Sequence, residues 1–422
     1  MPPGPPQRAA VLGGNRIPFA RQFGPYPEAT NQDMLTAALD GLVARFGLAG
    51  ERLGEVVAGA VVRHSRDLSL TREAVLSSAL AATTPAYDVQ QACGTGLQAT
   101  MLLANKIALG QIDAGVSGGV ESASDAPVTV SEPLRRSLFR AAAGRSTAAK
   151  AKALAGIRPT HLSIATPTNG EPRTGLSMGE HMAITAREWG IGREDQDALA
   201  AASHQRLAAA YERGFFDDLI TPYLGLSRDQ NLRPDSTPEK LATLRPAFGK
   251  GDRATLTAGN STPMTDGAST VLLATDRWAQ DRGLRPLAYV VDGETAAVDF
   301  VTGRDGLLTA PVFALPRLLA HGDATAGLRA RRDPRGLRRH RPHHARGLGV
   351  RRILPGPTGP GCADRGARQQ APECQGLIPR GRAPVRRDWR PNRRVTGKDA
   401  AREGNRGAGI DFDLRRRVAK VC

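Results

Sequence analysis

The chain changes character near residue 320, and that change restricts what it can fold into. Up to this point, short apolar runs typical of strands alternate with stretches of helical period, an order that indicates a layered α/β domain. Beyond it, no strand or helix period persists, and arginine, glycine and proline dominate. The sequence therefore predicts an ordered region over about residues 9–320 and an anomalous tail over residues 321–422.

The ordered region yields predictions for its main segments. Apolar runs predict strands at residues 9–13, 56–62, 114–121 and 288–292. One-sided apolar faces predict helices at residues 33–46, 72–80 and 193–211. The sequence of residues 131–177 predicts that the chain leaves the main sheet there. Ser177 and Glu180 then fit a capping box. Residues 256–258 and 268–274 are predicted as a strand piece and a helix piece that flank a loop.

The basic charge of the chain is concentrated in the tail. The net charge is +17, but the charges are mixed up to residue 320 and the basic excess lies in the last 102 residues. A disordered basic tail binds polyanions without specificity. One alternative function is therefore a non-catalytic, basic polyanion-binding protein. Its nucleic-acid binding would weaken with salt and would disappear when the tail is removed.

The remaining composition favours a cytoplasmic protein. No apolar run approaches the roughly 18–20 residues that would span a bilayer, so no transmembrane segment is predicted. The first residues lack the charged start and apolar centre of a signal peptide. The cysteines are too few and too scattered for a disulfide framework; they are Cys93, Cys362, Cys374 and Cys422.

Cys93 lies where a strand-type run gives way to a helical pattern, within residues 87–110. Gly94 and Gly96 follow it and allow a close approach of backbone. A helix N-terminus presents unpaired N–H groups and a partial positive charge, which favour a thiolate over a thiol. The residues alone leave two interpretations open, a nucleophile or a small buried hydrophobic side chain.

Five ordered motifs resemble the thiolase family. Residues 90–99, Q-Q-A-C-G-T-G-L-Q-A, resemble the nucleophile segment of thiolases. The other four follow in family order; they are R-I-P-F-A-R at 16–21, G-G-V-E-S at 118–122, G-L-S-M-G-E at 175–180 and T-A-G-N-S-T-P-M-T-D-G-A at 257–268. The long insert and the S-E-P-L-R-R-S run from Ser131 resemble the β subunit of trifunctional fatty-acid oxidation complexes. The resemblance covers about residues 9–320.

The resemblance implies a layered α-β-α-β-α fold of α/β class and a domain division. Residues 9–130 and 247–284 would form the N-terminal domain, with residues 131–246 inserted as a loop domain. Residues 285–320 would begin the C-terminal domain. Residues 321–422 would be the anomalous tail, so the C-terminal half is predicted to be incomplete or disordered.

The resemblance also implies the chemistry. A thiolase cleaves a 3-ketoacyl-CoA with free CoA into acetyl-CoA and a shortened acyl-CoA, or runs the reverse condensation. Cys93 matches the nucleophile, Met178 lies where the family lines its acyl pocket, and Thr262 lies in the segment that approaches the pantetheine arm. For Met178 and Thr262, plain packing and capping are equally good interpretations. A ketoacyl-synthase-type condensing enzyme is the alternative within the same fold, against which the loop at 260–267 and the long insert favour thiolase.

Coenzyme A is expected as a substrate, and no other cofactor or metal is implied. His340, His343 and His344 lie among arginines, which disfavours a metal site. The family implies a homo-oligomer that can pair with a hydratase/dehydrogenase subunit. Acyl-CoA and CoA are the expected small-molecule partners, and no specific nucleic acid is expected.

The tail lacks the rest of the thiolase apparatus. The family carries an H-E-A-F or N-E-A-F segment, a G-H-P segment with the activating histidine, and a C-x-G-x-G segment with a second cysteine. None of these is present in the sequence, and Cys374-Gln-Gly376 supplies only C-x-G. The activating histidine and the second cysteine therefore have no counterpart here.

The missing motifs are readable in a shifted frame. A shift of one nucleotide through the possible codons of residues 327–338 permits D-F-E-L-V-E-I-H-E-A-F-A. The same shift permits G-H-P-F-A-A-T-G-G-R-I from the segment that begins at Gly381, and L-A-S-I-S-I-C-A-A from the one that begins at Gly407. Since the three readings share one shift and follow family order, our hypothesis is that the tail is a thiolase C-terminal domain translated out of frame from near His321. The predicted consequences are low stability and little or no thiolase activity, as in a non-catalytic remnant.

Overall fold

A computed structural model describes residues 7–165, 167, 170–249, 251, 254–302 and 305–332, with side chains up to residue 321. Most of the predicted tail lies outside these residues. So do the histidines at 340–344, three of the four cysteines, and all or part of each segment with a shifted reading. The frame hypothesis therefore stays a prediction.

Eleven strands are formed by the described residues. In chain order they are β1 (Ala9–Arg16), β2 (Ala20–Arg21), β3 (Glu55–Ala58), β4 (Ala86–Asp88), β5 (Ala114–Glu121), β6 (Thr129–Val130), β7 (Ile164–Ala165), β8 (Pro246–Phe248), β9 (Leu256–Thr257), β10 (Thr265–Ala274) and β11 (Ala288–Val290).

Ten α-helices accompany them within the same residues. They are α1 (Asn31–Phe46), α2 (Leu70–Ser77), α3 (Thr95–Ala108), α4 (Glu132–Ala143), α5 (Thr147–Ala155), α6 (Met178–Glu188), α7 (Arg193–Glu212), α8 (Pro238–Ala242), α9 (Asp276–Asp281) and α10 (Ala310–Arg332). Among the described helices, none combines the length and the apolar character that a bilayer span requires.

One mixed sheet organises the molecule. Its strand order is β11-β1-β10-β5-β3-β4, with β2 added alongside β10. Strand β1 is antiparallel to β11 and β10, and β10 is antiparallel to β5, whereas β3 is parallel to both β5 and β4. Strand β5 therefore lies near the centre, and β4, which leads to Cys93, lies at one edge.

Helices cover both faces of this sheet. Leu35, Leu39 and Leu42 of α1 are fully buried in one apolar cluster together with Leu272 of β10. The next residue, Leu273, belongs to a second cluster with the α3 residues Leu103 and Ile107. Successive side chains of a strand point to opposite faces, so the alternation along β10 creates two cores. The predicted α/β class is confirmed.

Several of the predicted segments are confirmed, and some need correction. Strand β5 has the predicted bounds, and α1, α2 and α7 match theirs to within three residues. The capping box of Ser177 and Glu180 opens α6 as predicted. The helix piece at 268–274 was wrong, because these residues form the central strand β10, paired with both β1 and β5. The strand predicted to reach residue 62 ends at Ala58.

Two further differences concern the end of the ordered region. Strand β11 pairs with β1 at the edge of the main sheet. This pairing does not test the proposed domain start at residue 285, which stays a prediction. The helical period was expected to fail at 320, but α10 runs through to Arg332. Alanine, leucine and arginine are strong helix formers, and they supply most of that extension.

The helical segment between β5 and β10 is tied to the sheet by a buried ion pair. Arg16 of β1 donates to both carboxylate oxygens of Asp229, at 2.7 and 2.8 Å. Their side chains are only 11% and 7% exposed. The Phe19 N–H donates to the same carboxylate at 2.8 Å, and the Tyr211 hydroxyl accepts from the Asp229 N–H at 3.0 Å. The motif R-I-P-F-A-R therefore fixes residues more than 200 positions away.

Candidate functional site

Cys93 lies in the turn between an edge strand and a helix. Strand β4 ends at Asp88 and α3 begins at Thr95, with Gly94 as its N-cap residue. The Cys93 side chain is exposed and forms no disulfide. The thiol is therefore accessible to a reactant and lies beside the helix N-terminus, as the sequence predicts.

The backbone of this turn is strained and held by Thr95. Ala92 has a φ of +44°, which side chains other than glycine rarely adopt. The buried Thr95 hydroxyl donates to the Ala92 carbonyl at 2.7 Å and accepts from the Gln91 N–H at 3.0 Å. The Gly94 N–H closes the turn on the Gln91 carbonyl at 2.9 Å. These bonds fix the backbone on both sides of Cys93.

Residues 59–62 support the turn from one side. Strand β3 ends at Ala58, whose carbonyl accepts from the Val89 N–H at 2.9 Å. A Cβ on Gly59 would lie 1.9 Å from the Val89 carbonyl oxygen and 3.1 Å from Thr95 Cγ2. Only glycine permits this close approach of the two backbone segments.

We expect Gly59→Ala to disrupt the Cys93 turn. The new methyl group meets backbone rather than a flexible side chain, so the strand ends must separate. Forcing extra atoms into a packed region destabilises by about 1–3 kcal/mol. The measurement is the free energy of unfolding of the full chain in urea. Gly156→Ala is the matched control, because its Cβ would meet nothing closer than 3.6 Å; equal effects of the two substitutions would contradict the prediction.

Met178 is the first residue of α6 and is half-buried. The Ser177 hydroxyl accepts from the Glu180 N–H at 3.3 Å, while the Glu180 carboxylate accepts from the Ser177 N–H at 2.8 Å. A Cβ on Gly179 would lie 2.4 Å from Phe248 of β8. The first turn of α6 is therefore set by the capping box and by close packing on β8.

Thr262 is exposed in the loop between β9 and β10. The loop is shaped by Asn260, whose side-chain oxygen accepts from the Thr257 N–H at 2.7 Å. The side-chain nitrogen of Asn260 donates to Asp197 of α7 at 2.9 Å, and Arg193 holds the other Asp197 oxygen at 2.6 Å. Buried Asp197 thus ties the loop that carries Thr262 to α7.

A large cavity, about 1250 Å³ in volume, opens between α6, α7, α8 and this loop. Thr262 lines it, whereas Cys93 and Met178 are not among its described lining residues. Its apolar lining includes Trp189, Leu207 and Leu241. Its cationic lining consists of Arg21, Arg233 and Lys240. Asp229 and Asp235 also line it, and Lys240 pairs with Asp235 at 2.9 Å, so the cavity presents apolar side chains together with charges of both signs.

The cavity also contains residues that the sequence analysis missed, His204 above all. His204 Nδ1 accepts from the Arg233 N–H at 3.3 Å. Burial, and after it the Arg233 guanidinium, lower the pKa of His204, with Asp235 opposing. The sequence does carry a signal for this face of α7. Leu199, Ser203 and Leu207 recur at spacings of four residues, so the polar residue Ser203, next to His204, interrupts an otherwise apolar stripe.

No group of three histidine, cysteine or carboxylate side chains among the described residues could hold a metal ion.

Comparison with known proteins gives consistent matches. Residues 9–277 match the family described as thiolase, N-terminal domain. The 3-ketoacyl-CoA thiolase of Yersinia pestis (strain Pestoides F) is 36% identical over 324 residues, which cover 75% of this chain and 73% of the relative. The same values hold for the 3-ketoacyl-CoA thiolase of Yersinia pseudotuberculosis serotype O:1b (strain IP 31758).

A solved structure matches the fold over a similar share of the chain. The crystal structure of the Bacillus anthracis acetyl-CoA acetyltransferase aligns with a TM-score of 0.62 and 27% sequence identity. The alignment covers 74% of this chain and 77% of that one. This match and the family match confirm the fold type that the five motifs predicted.

Proposed function

Because this chain belongs to the thiolase family, we propose that its function is acyl transfer between 3-ketoacyl-CoA and CoA through a thioester on Cys93. Similar proteins carry the names 3-ketoacyl-CoA thiolase and acetyl-CoA acetyltransferase. These names support a reaction that produces acetyl-CoA and a shortened acyl-CoA, or the reverse condensation.

One observation carries the proposal, namely the exposed Cys93 thiol in a strained turn at the start of α3. A thiolate is the reactive form of cysteine, and a helix N-terminus favours negative charge. The turn holds the sulfur at the protein surface, where an acyl group can reach it. A structural cysteine would instead be buried among apolar side chains.

The proposed reaction has two balanced halves. The Cys93 thiolate adds to the 3-keto carbon of the substrate, and the bond between this carbon and its neighbour then breaks. The electron pair leaves with acetyl-CoA, which takes up a proton, and the acyl group remains on Sγ as a thioester. The thiolate of free CoA then attacks this thioester and releases the Cys93 thiolate. Both halves require a positioned acid/base and stabilisation of the developing oxyanion.

The cavity beside Thr262 supports coenzyme A as the second substrate. CoA combines phosphate groups with a long pantetheine arm, and the cavity combines Arg21, Arg233 and Lys240 with apolar side chains. We propose that Thr262 contacts the pantetheine arm and that Met178, at the start of α6, lines the acyl pocket. No metal is assigned to this reaction.

We further propose that this chain is impaired or inactive as written. The sequence lacks the family segments that carry the activating histidine and the second cysteine. Cys93 would then form the acyl thioester but lack the partners for rapid turnover. The alternative is a non-catalytic thiolase remnant whose thiol does not take up an acyl group.

The wider setting is proposed from the family resemblance. A 3-ketoacyl-CoA thiolase acts in the degradation of fatty acyl chains, and we propose this role in a cytoplasmic setting. We also propose a homo-oligomer, paired with a hydratase/dehydrogenase subunit that would supply the 3-ketoacyl substrate.

We expect the full chain to become acylated on Cys93 when it is exposed to acetyl-CoA. The exchange moves the acetyl group to Sγ and releases the CoA thiol, and a slow stoichiometric reaction is enough because the adduct is detected without turnover. Mass spectrometry of the peptide that carries Cys93 measures the adduct. Cys93→Ala should lose it and Cys422→Ala should retain it. Equal labelling of all four cysteines, or no labelling of Cys93, would reject Cys93 as the nucleophile.

A further inference from the structure

Glu121 is a partly buried carboxylate in direct contact with the segment that supports the Cys93 turn. It is the last residue of β5, near the centre of the sheet. Its two carboxylate oxygens accept from successive backbone N–H groups, Val61 at 2.9 Å and Val62 at 3.0 Å. One side chain thereby fixes the course of the chain immediately after β3.

The environment of Glu121 distinguishes it from a solvated surface charge. Burial raises the pKa of Glu121, and the two backbone hydrogen bonds only partly offset that effect. Removing a carboxylate from water is unfavourable unless hydrogen bonds replace the lost hydration. The N–H groups of Val61 and Val62, in the segment after β3, provide this replacement for a carboxylate at the end of β5, and the segment is held in return.

The segment that Glu121 holds packs against the Cys93 turn. A Cβ on Gly59 would lie 1.9 Å from the Val89 carbonyl oxygen and 3.1 Å from Thr95 Cγ2, so the two segments pass close to each other here. The Gln90 side-chain nitrogen donates to the Val61 carbonyl at 3.3 Å. The strained φ of Ala92 requires such surroundings, because a rarely populated backbone conformation persists only when its neighbours over-determine it.

We propose that Glu121 is a positioning residue for the nucleophile. By fixing Val61 and Val62, its carboxylate holds residues 59–62 as a rigid support, and this support keeps the Cys93 turn in its strained conformation. The inference deepens the proposed function, since it assigns the support of that site to a carboxylate that does not touch the substrate. It concerns the order of the turn, so it can be tested without turnover.

The test measures the mobility of Cys93 itself. In the full chain with Cys362, Cys374 and Cys422 replaced by serine, a methanethiosulfonate nitroxide is attached to Cys93 and its electron paramagnetic resonance spectrum is recorded. Glu121→Gln keeps the size of the side chain but replaces one acceptor oxygen with an amide. We expect a shift from slow to fast nitroxide motion. Glu132→Gln is the matched control, because Glu132 is exposed on α4 and pairs with Arg135 and Arg136.

A second substitution interrupts the same path nearer the surface. Gln90→Ala removes the bond to the Val61 carbonyl and should release the nitroxide in part. Residues that act through one network are not additive, so Glu121→Gln with Gln90→Ala should exceed Glu121→Gln only slightly. If Glu121→Gln fails to fold, Gln90→Ala alone decides the matter.

The outcomes separate positioning from general stability. A lower unfolding temperature for Glu121→Gln with an unchanged nitroxide spectrum would show a purely structural role and would overturn the proposal. An immobile label in Gln90→Ala would overturn it as well. Failure of the Cys93 acylation experiment would refute the proposed function without affecting this result.

Discussion

Repair of the reading frame beyond residue 320 is expected to convert a nearly inactive chain into an active thiolase. The change is measured as the rate at which free CoA cleaves acetoacetyl-CoA, monitored through the loss of the substrate's absorbance. Each positioned acid/base contributes roughly 10²–10⁴-fold to a rate. Since the chain lacks both the activating histidine and the second cysteine, we expect a gain of at least about 10⁴-fold.

The control for this prediction uses Cys93. In the repaired protein, Cys93→Ala should return the rate to that of the unrepaired chain, because the acyl thioester can no longer form. Sequencing the gene tests the premise separately, since codons that forbid the shifted readings would end the hypothesis. An ordinary turnover rate from the unrepaired chain would also contradict it.

Arg16→Ala is expected to lower the free energy of unfolding more than any other single substitution proposed here. The substitution leaves the Asp229 carboxylate, 7% exposed, without its charged partner. Breaking a buried ion pair by removing one member typically costs about 3–5 kcal/mol. Denaturation of the full chain in urea measures the change. Since the chain is predicted to be only weakly stable, loss of the folded population is an equivalent result.

Arg8→Ala is the matched control for Arg16→Ala. Arg8 pairs with Asp276 at 2.7 Å, but its side chain is 61% exposed. An exposed pair of this kind contributes little to stability, because solvent screens the two charges. Similar losses for the two substitutions would mean that burial of the Arg16–Asp229 pair has no energetic consequence.

The same ion pair predicts a dependence of stability on pH. Burial alone would raise the pKa of Asp229, but the hydrogen bonds from Arg16 and Phe19 prevail and lower it. A lowered folded-state pKa contributes stability above the unfolded pKa, and this contribution is lost as the pH falls through the folded value. Without Arg16, burial dominates and the shift of the Asp229 pKa reverses, so the carboxylate no longer stabilises the fold at neutral pH. The loss of unfolding free energy caused by Arg16→Ala should therefore be largest at neutral pH.

Local sequence patterns predicted much of the fold. Leu35, Leu39 and Leu42 recur at helical spacing, and the structure buries all three on one face of α1. The Ser177 and Glu180 pair marked the start of α6, because a capping box involves only residues within one turn. The turn with Cys93 was located for the same reason, since an apolar run followed by cysteine, glycines and a helical pattern is a local signal.

The errors and omissions arise from long-range contacts. Residues 268–274 resembled a helix piece in isolation, yet pairing with β1 and β5 makes them a strand. The need for glycine at residue 59 comes from the Val89 carbonyl, which lies 30 residues later in the chain. The contact between Glu121 and residues 61–62 links two segments about 60 positions apart. No short stretch of the sequence contains both partners of any of these interactions, so local patterns could not predict them.

Helix α10 passes through His321, near which we propose the change of frame, and ends only at Arg332. Codons rich in G and C encode alanine, arginine and leucine in more than one register, and these residues favour helix in each of them. A helix can therefore persist beyond a frameshift that removes the catalytic residues. For any gene rich in G and C, a continuous helix is no sign that the message is still being read in the correct frame.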